Sequence, residues 1–263
     1  MYSDNATVLF AQEGPVATIR FNRPPALNAL DQDMAESLLA ICKTIRASSE
    51  IRVVVISGEG RAFMAGGDLA YFQADIAAAA QSAPKVIGPL HEAISILTQL
   101  PQLVLASLHG AVAGAGVSLA LACDLSIAAA GTRFNMAYAR IGASPDGSAS
   151  WSLPRTVGLH KALELTLLAE TFDAAEALRL GIVNRVVEAE ALKSETQALA
   201  QRLAAGPAFA YAKTKRLMRT SLERTLEDQM AAECEAFVAC AKTADFVEGV
   251  GAFFEKRQAR FGL

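Results

Sequence analysis

His109-Gly-Ala-Val-Ala-Gly-Ala-Gly-Val-Ser-Leu-Ala-Leu-Ala-Cys-Asp124 follows directly on the apolar run Leu103-Val-Leu-Ala-Ser-Leu108. The run is short and bounded by a turn, so it predicts a strand, and the small residues from Gly114 to Ala122 predict a closely packed helix. Leu125 to Ala129 then reads as the next strand. Strand, glycine-rich turn, helix, strand is the order of a parallel pair joined by a crossover. Backbone N–H groups of such a turn can face an anion, and the helix N-terminus adds positive potential there. The stretch Leu103 to Cys123 has no charged residue and is about as long as the ~20 residues that span a bilayer. Ser107-Leu108-His109-Gly110 breaks it and no basic or aromatic anchors flank it, so a membrane partner is not expected.

The pattern repeats outward. Val8 to Phe10 and Val16 to Phe21 read as a hairpin across Gly14-Pro15. Asp31 caps a helix whose Met34, Leu38, Ile41 and Ile45 form an apolar stripe. Arg52 to Ser57 predicts a strand buried on both faces, and a helix follows around Ile87 to Leu100. Ala77 to Ala80 beside Gln81-Ser82-Ala83-Pro84 predicts a mobile loop. From about Lys161 onward strands nearly vanish, and a helical region begins between Asp173 and Glu190.

At 263 residues, 52% of them hydrophobic, the chain can bury a large core, which excludes disorder and predicts one α/β body with a helical appendage. A net charge of −3 gives no general pull toward nucleic acid or an anionic membrane. Cys42, Cys123, Cys234 and Cys240 form no CxxC pair, which argues against a disulfide framework and against zinc. Asp4 stands where an export signal needs positive charge, so a cytoplasmic location is expected.

A second glycine-rich segment, Gly60-Arg-Ala-Phe-Met-Ala-Gly-Gly-Asp-Leu69, also follows a strand. A dinucleotide reading fails: Gly114-Ala-Gly116 lacks the third glycine and the acidic residue beyond it. There is no phosphate-binding GK[ST] and no Gly-x-Ser-x-Gly elbow, and His91, His109 and His160 lack metal-ligand spacing.

Phe21-Asn-Arg-Pro-Pro-Ala-Leu-Asn-Ala-Leu30, Gly60 to Leu69, His109 to Asp124, Ser144-Pro-Asp-Gly-Ser148 and Leu153-Pro-Arg155, in this order, resemble the enoyl-CoA hydratase/isomerase (crotonase) superfamily. The likeness covers nearly the whole chain, down to Asp245 to Arg257. It implies an α/β crotonase fold of repeated ββα units, with a core over residues 1–190 and a helical trimerisation region over 191–263. It also implies an acyl-CoA substrate, a homotrimer or dimer of trimers, and no cofactor or metal, since coenzyme A is part of the substrate. By position, the backbone N–H groups of Gly67 and Ala115 match the family's oxyanion donors. Pro25, Ala26 and Leu27, with Ala65, Gly66, Asp68 and Leu69, match the segments that line coenzyme A. Asp68 has a second, structural reading as a helix cap.

Hydratases of this family place water with two glutamates, and those positions hold Ser118 and Tyr138 here. Hydration wants an acid and a base in mutual geometry, so hydratase activity is expected to be weak. Asp146 matches the aspartate of isomerases acting on 3-enoyl-CoA, dienoyl-CoA and ring-epoxidised phenylacetyl-CoA, the Ser-Pro-Asp-Gly pattern being nearest the last. One carboxylate suffices to move a proton between two carbons of an enolisable chain. The alternative for Asp146 is a helix N-cap. His91 matches the base of 4-chlorobenzoyl-CoA dehalogenases, whose nucleophilic aspartate coincides with Asp146. Their tryptophan is replaced by Tyr138, which with His91 is expected to shape the acyl pocket. Lys213-Thr-Lys-Arg-Leu-Met-Arg219 leaves a non-catalytic, RNA-binding homologue as a reading of another class; net charge and the lack of interleaved aromatics count against it.

Overall fold

The computed structural model describes residues 6–262. Asp4, which carries the expectation of no export signal, lies outside the described residues. β1 (Val8–Glu13) and β2 (Val16–Phe21) form the expected hairpin, with Glu13 opposite Val16 and Gly14 at φ +56°. The Asp31 carboxylate accepts the Met34 N–H at 2.9 Å and starts α1 (Gln32–Ala47), whose predicted stripe is buried. β3 (Val53–Gly58) follows, buried from Val53 to Ile56. Then come α2 (Leu69–Gln73), α3 (Ala79–Gln99), β4 (Leu103–Leu108), β5 (Ala111–Ala113), α4 (Ala115–Ala122) and β6 (Leu125–Ala129). β7 (Arg133–Asn135), α5 (Ala149–Val157), α6 (Leu159–Leu167), β8 (Phe172–Asp173), α7 (Ala174–Arg179) and β9 (Arg185–Val187) complete the mixed part. Four helices end the chain: α8 (Leu192–Ala204), α9 (Ala208–Thr220), α10 (Leu226–Ala241) and α11 (Ala244–Glu255).

The main sheet has the order β1-β2-β3-β4-β6-β9, and every pairing after the hairpin is parallel. Parallel sheets need both faces covered. One face packs on the large core containing α1 and α3; the other buries Val53, Val55, Leu105 and Ile127 under Leu192, Leu199, Ala200 and Ala204 of α8. A small second sheet, β5-β7-β8, carries the loops of the site. Its strands of two or three residues are too short to show a period in sequence.

The helix expected around Ile87 to Leu100 starts earlier, at Ala79, and contains Pro84 and Pro89. The mobile loop expected over 77–84 is therefore a 3-10 turn, Ile76–Ala78, capped by Asp75, running into the first turns of α3. An internal proline costs roughly 3 kcal/mol or more. Burial of Val86, Leu90, Ala93, Ile94 and Leu97, at about 1.5–3 kcal/mol for each large side chain, offsets it. The uncharged stretch Leu103 to Cys123 divides into β4, β5 and α4, and no helix among the described residues is long and apolar enough to cross a membrane.

Candidate active site

The two glycine-rich segments are zipped together along their backbones. Phe63 N–H donates to His109 O at 2.8 Å, Met64 N–H to Ala111 O at 3.1 Å, and Ala113 N–H to Met64 O at 2.9 Å. This approach leaves no room for side chains: a Cβ on Gly116 would lie 2.4 Å from the Met64 carbonyl oxygen, and Gly66, at φ +108°, lies against Ala113. On the other flank Leu30 donates to Gly66 O and accepts from Asp68 N–H, both at 2.8 Å. Gly67 and Ala115 thus stand just past the crossing, and neither N–H donates to any group among the described residues. Ala115 opens α4, where the first N–H groups have no intrahelical partner and the helix dipole is positive.

Both residues line a cavity of about 490 Å³, together with Ala65, Gly66, Leu69, Tyr138 and Asp146. Phe72, Val86 and Leu90 supply apolar walls, and Asp146 is the one charged lining residue among those described. Of the α3 residues in this wall, Ala79 and Ala83 fall in the expected loop, and Leu90 in the expected helix. A second cavity of about 1130 Å³, lined by His91, Trp151, Phe209 and Arg216, also has Asp146 in its wall.

Asp146 does not cap α5. Ser148, at φ +68°, takes the N-cap position without a side-chain bond. The Asp146 Oδ1 accepts the Tyr138 hydroxyl at 2.5 Å. Ser118 Oγ lies 3.0 Å from the Tyr138 oxygen, donates to Asp146 O at 3.0 Å and reaches Gly114 O at 3.3 Å. Ser118 and Tyr138 are buried, and Asp146 is half-buried. Burial, then the neighbouring Asp146 charge, push the Tyr138 phenol well above its ordinary range, so it stays a donor. His91 Nε2 accepts the Gly147 N–H at 3.0 Å, which fixes the loop one residue past Asp146. No spacing rule in sequence marks these partnerships.

The remaining predicted residues form a flank outside both cavities. Pro25 and Ala26 lie in a 3-10 turn, and Leu27 follows in the left-handed region at φ +53°. Buried Asn28 ties this turn down, donating to Glu59 O at 2.9 Å and Ala62 O at 2.7 Å. Asp68 caps α2 through Ala70 N–H at 3.0 Å and pairs with Arg23 at 2.8 Å. In the basic run, Lys215 and Arg219 turn inward onto Asp124, each at 2.7 Å, and so leave any outward-facing stripe.

A family model described as enoyl-CoA hydratase/isomerase matches residues 11–262. A Rhodobacter capsulatus protein named "Probable enoyl-CoA hydratase" is 38% identical over 256 residues, 97% of each chain. The 1,2-epoxyphenylacetyl-CoA isomerase of Escherichia coli is 34% identical over 258 residues, again 97% of each. The crystal structure of an enoyl-CoA hydratase from Polaromonas sp. JS666 superposes with a TM-score of 0.91 at 36% identity, covering 96% of this chain and 98% of that one. The fold is the crotonase fold, and the chain belongs to the enoyl-CoA hydratase/isomerase family.

Proposed function

We propose that this enzyme is an acyl-CoA isomerase in which Asp146 moves a proton along an enolisable acyl chain. The observation that carries the reading is a single carboxylate in one apolar cavity with two unpartnered N–H groups, those of Gly67 and Ala115. Asp146 takes a proton from one carbon, the electron pair moves onto the thioester oxygen as an enolate, and the two N–H groups stabilise that oxyanion. Return of the proton to another carbon restores the carboxylate. Losing one such donor typically costs ~100- to 1,000-fold in rate. Coenzyme A enters as part of the substrate, along the flank of Pro25, Ala26, Leu27 and Asp68, so the reading invokes no separate cofactor.

Relatives carry both hydratase and isomerase names. The isomerase reading is preferred because Ser118 and Tyr138 stand in place of two carboxylates. The dehalogenase-like alternative needs His91 as a base, and its Nε2 lone pair already accepts from Gly147. As parts of the same proposal, the 191–263 helices trimerise the protein and it works in the reducing cytoplasm, a reading supported by its four unpaired cysteines.

The test compares the protein with Asp146→Asn on 3-enoyl-CoA in deuterated water, following the conjugated 2-enoyl thioester and deuterium uptake. A positioned base contributes about 10²–10⁴-fold, so conjugation is expected to fall by that factor in the variant. Crotonyl-CoA hydration is expected to be slow in both. Fast hydration that survives Asp146→Asn overturns the reading.

A further inference from the structure

We infer that Tyr138 is a positioning residue that decides which oxygen of Asp146 acts as the base, and that Ser118 locks this pair to the oxyanion-donor segment. The inference rests on the isomerase reading and deepens it.

The proton count settles the direction of the bonds. Tyr138 has one hydroxyl hydrogen, and at 2.5 Å from Oδ1 it is given to Asp146, a charge-assisted bond to an acceptor-only carboxylate. The other oxygen, Oδ2, accepts nothing among the described residues. Rotating the carboxylate away from the hydroxyl would surrender the tyrosine bond, so the oxygen facing away from Tyr138, here Oδ2, is the one left to take the substrate proton. Ser118 Oγ then sits at a node, 3.0 Å from the Tyr138 oxygen, 3.0 Å from the carbonyl of Asp146 and 3.3 Å from that of Gly114. Gly114 directly precedes Ala115, whose N–H is one of the two donors. The single Ser118 hydroxyl hydrogen serves one of these acceptors at a time, and because Ser118 belongs to α4, the helix that Ala115 opens, that bond ties the Tyr138–Asp146 loop to the donor segment.

The packing keeps this node in place. Ser118 is completely buried, and a Cβ on Gly147 would come within 2.8 Å of its Cβ, so the Asp146-Gly147 turn closes directly on it. The side chain of a glutamate at position 118 would claim the volume that Gly147 and the Tyr138 hydroxyl fill. A reaction that needs one base at a fixed distance from two carbons benefits from an oriented carboxylate, because catalytic groups must be held within ~0.5 Å of productive geometry.

Tyr138→Phe keeps the ring and removes only the donor. A hydrogen bond to a charged group matters at the level of about tenfold to a hundredfold, so kcat for 3-enoyl-CoA is expected to fall by that factor with KM within about twofold. Ser118→Ala, which is smaller and cannot clash, is expected to lower kcat in the same direction. A readout that needs no turnover is the ultraviolet titration of tyrosinate. In Asp146→Asn the Tyr138 phenol is expected to ionise at lower pH, the band being assigned by its loss in Tyr138→Phe. A folded Tyr138→Phe with unchanged kcat overturns the inference, as does a tyrosine titration that ignores Asp146→Asn. If the wild-type protein does not act on the thioester while the titrations remain coupled, the isomerase reading falls and the Tyr138–Asp146 unit stands.

Discussion

The Nε2 of His91 accepts the backbone N–H of Gly147 at 3.0 Å, next to the Asp146 carboxylate. An accepting Nε2 places the ring proton of the neutral imidazole on Nδ1. His91 thus serves the loop as an acceptor. Glutamine offers an acceptor oxygen at similar reach, so His91→Gln is expected to keep 3-enoyl-CoA isomerisation within about threefold. His91→Ala is expected to lose about two- to tenfold, the worth of one neutral hydrogen bond. Chloride release from 4-chlorobenzoyl-CoA that disappears in His91→Gln would instead favour the dehalogenase-like chemistry.

The close approach of the two glycine-rich segments makes a contrast between two glycines. At Gly116 a methyl group would sit 2.4 Å from the Met64 carbonyl oxygen, whereas at Gly131, in the turn between β6 and β7, nothing beyond its chain neighbours lies within 4 Å. Gly116→Ala must push apart the segments bearing Gly67 and Ala115, and is expected to destabilise by about 1–3 kcal/mol, the usual cost of overpacking, and to lower kcat. Gly131→Ala is expected to stabilise by about 0.4–1 kcal/mol, with kcat unchanged. Urea unfolding and initial rates on both variants check this; equal effects at the two sites would contradict it.

Much of this arrangement was legible because local patterns agree with the fold. The limits of β4 and β6 and the Asp31 cap follow from short apolar runs and a capping side chain, and the structure reproduces them. The early start of α3 was not legible, because Pro84 and Pro89 speak locally for a break and only the burial of Val86 and Leu90 under the rest of the chain overrides them. The segments of the site were readable from glycine and from Ser144-Pro-Asp-Gly-Ser148. The bond from Tyr138 to Asp146 was not, since it depends on how a loop from β7 folds back over α4.

Lys215 is the deepest charge anchoring α9. Its ammonium donates to Leu97 O at 3.1 Å and Gln102 O at 3.0 Å, and meets Asp124 at 2.7 Å with only 5% of its side chain exposed. Lys215→Met leaves two carbonyls unpaired and Asp124 with Arg219 alone as cation, so a loss of about 2–4 kcal/mol is expected. Burial holds the Lys215 amine below its ordinary value, with Asp124 opposing. The unfolded chain, where lysine titrates near ~10.4, then binds more protons than the folded one between the lowered value and that pH. Through this window the Lys215 contribution to stability rises with pH, and it is smallest below the lowered value. The stability gap between wild type and Lys215→Met is therefore expected to widen as urea midpoints are taken toward alkaline pH; a gap that narrows there would refute the assignment.

The last helices leave large apolar side chains in solvent. Phe253 and Phe254 of α11 are each 78% exposed, and Phe237 of α10 is 64% exposed. A single chain rarely tolerates a contiguous apolar surface of this kind without a partner. The proposed trimer, or dimer of trimers, would cover it, each buried Phe contributing about 1.5–3 kcal/mol. Light scattering is expected to return a trimeric or hexameric mass for the wild type. The double substitution Phe253→Ser, Phe254→Ser is expected to shift that mass toward the monomer as concentration falls, with the circular dichroism of the core retained. A monomeric wild type would remove the C-terminal helices from the role of trimerisation region and leave their aromatic face to another partner.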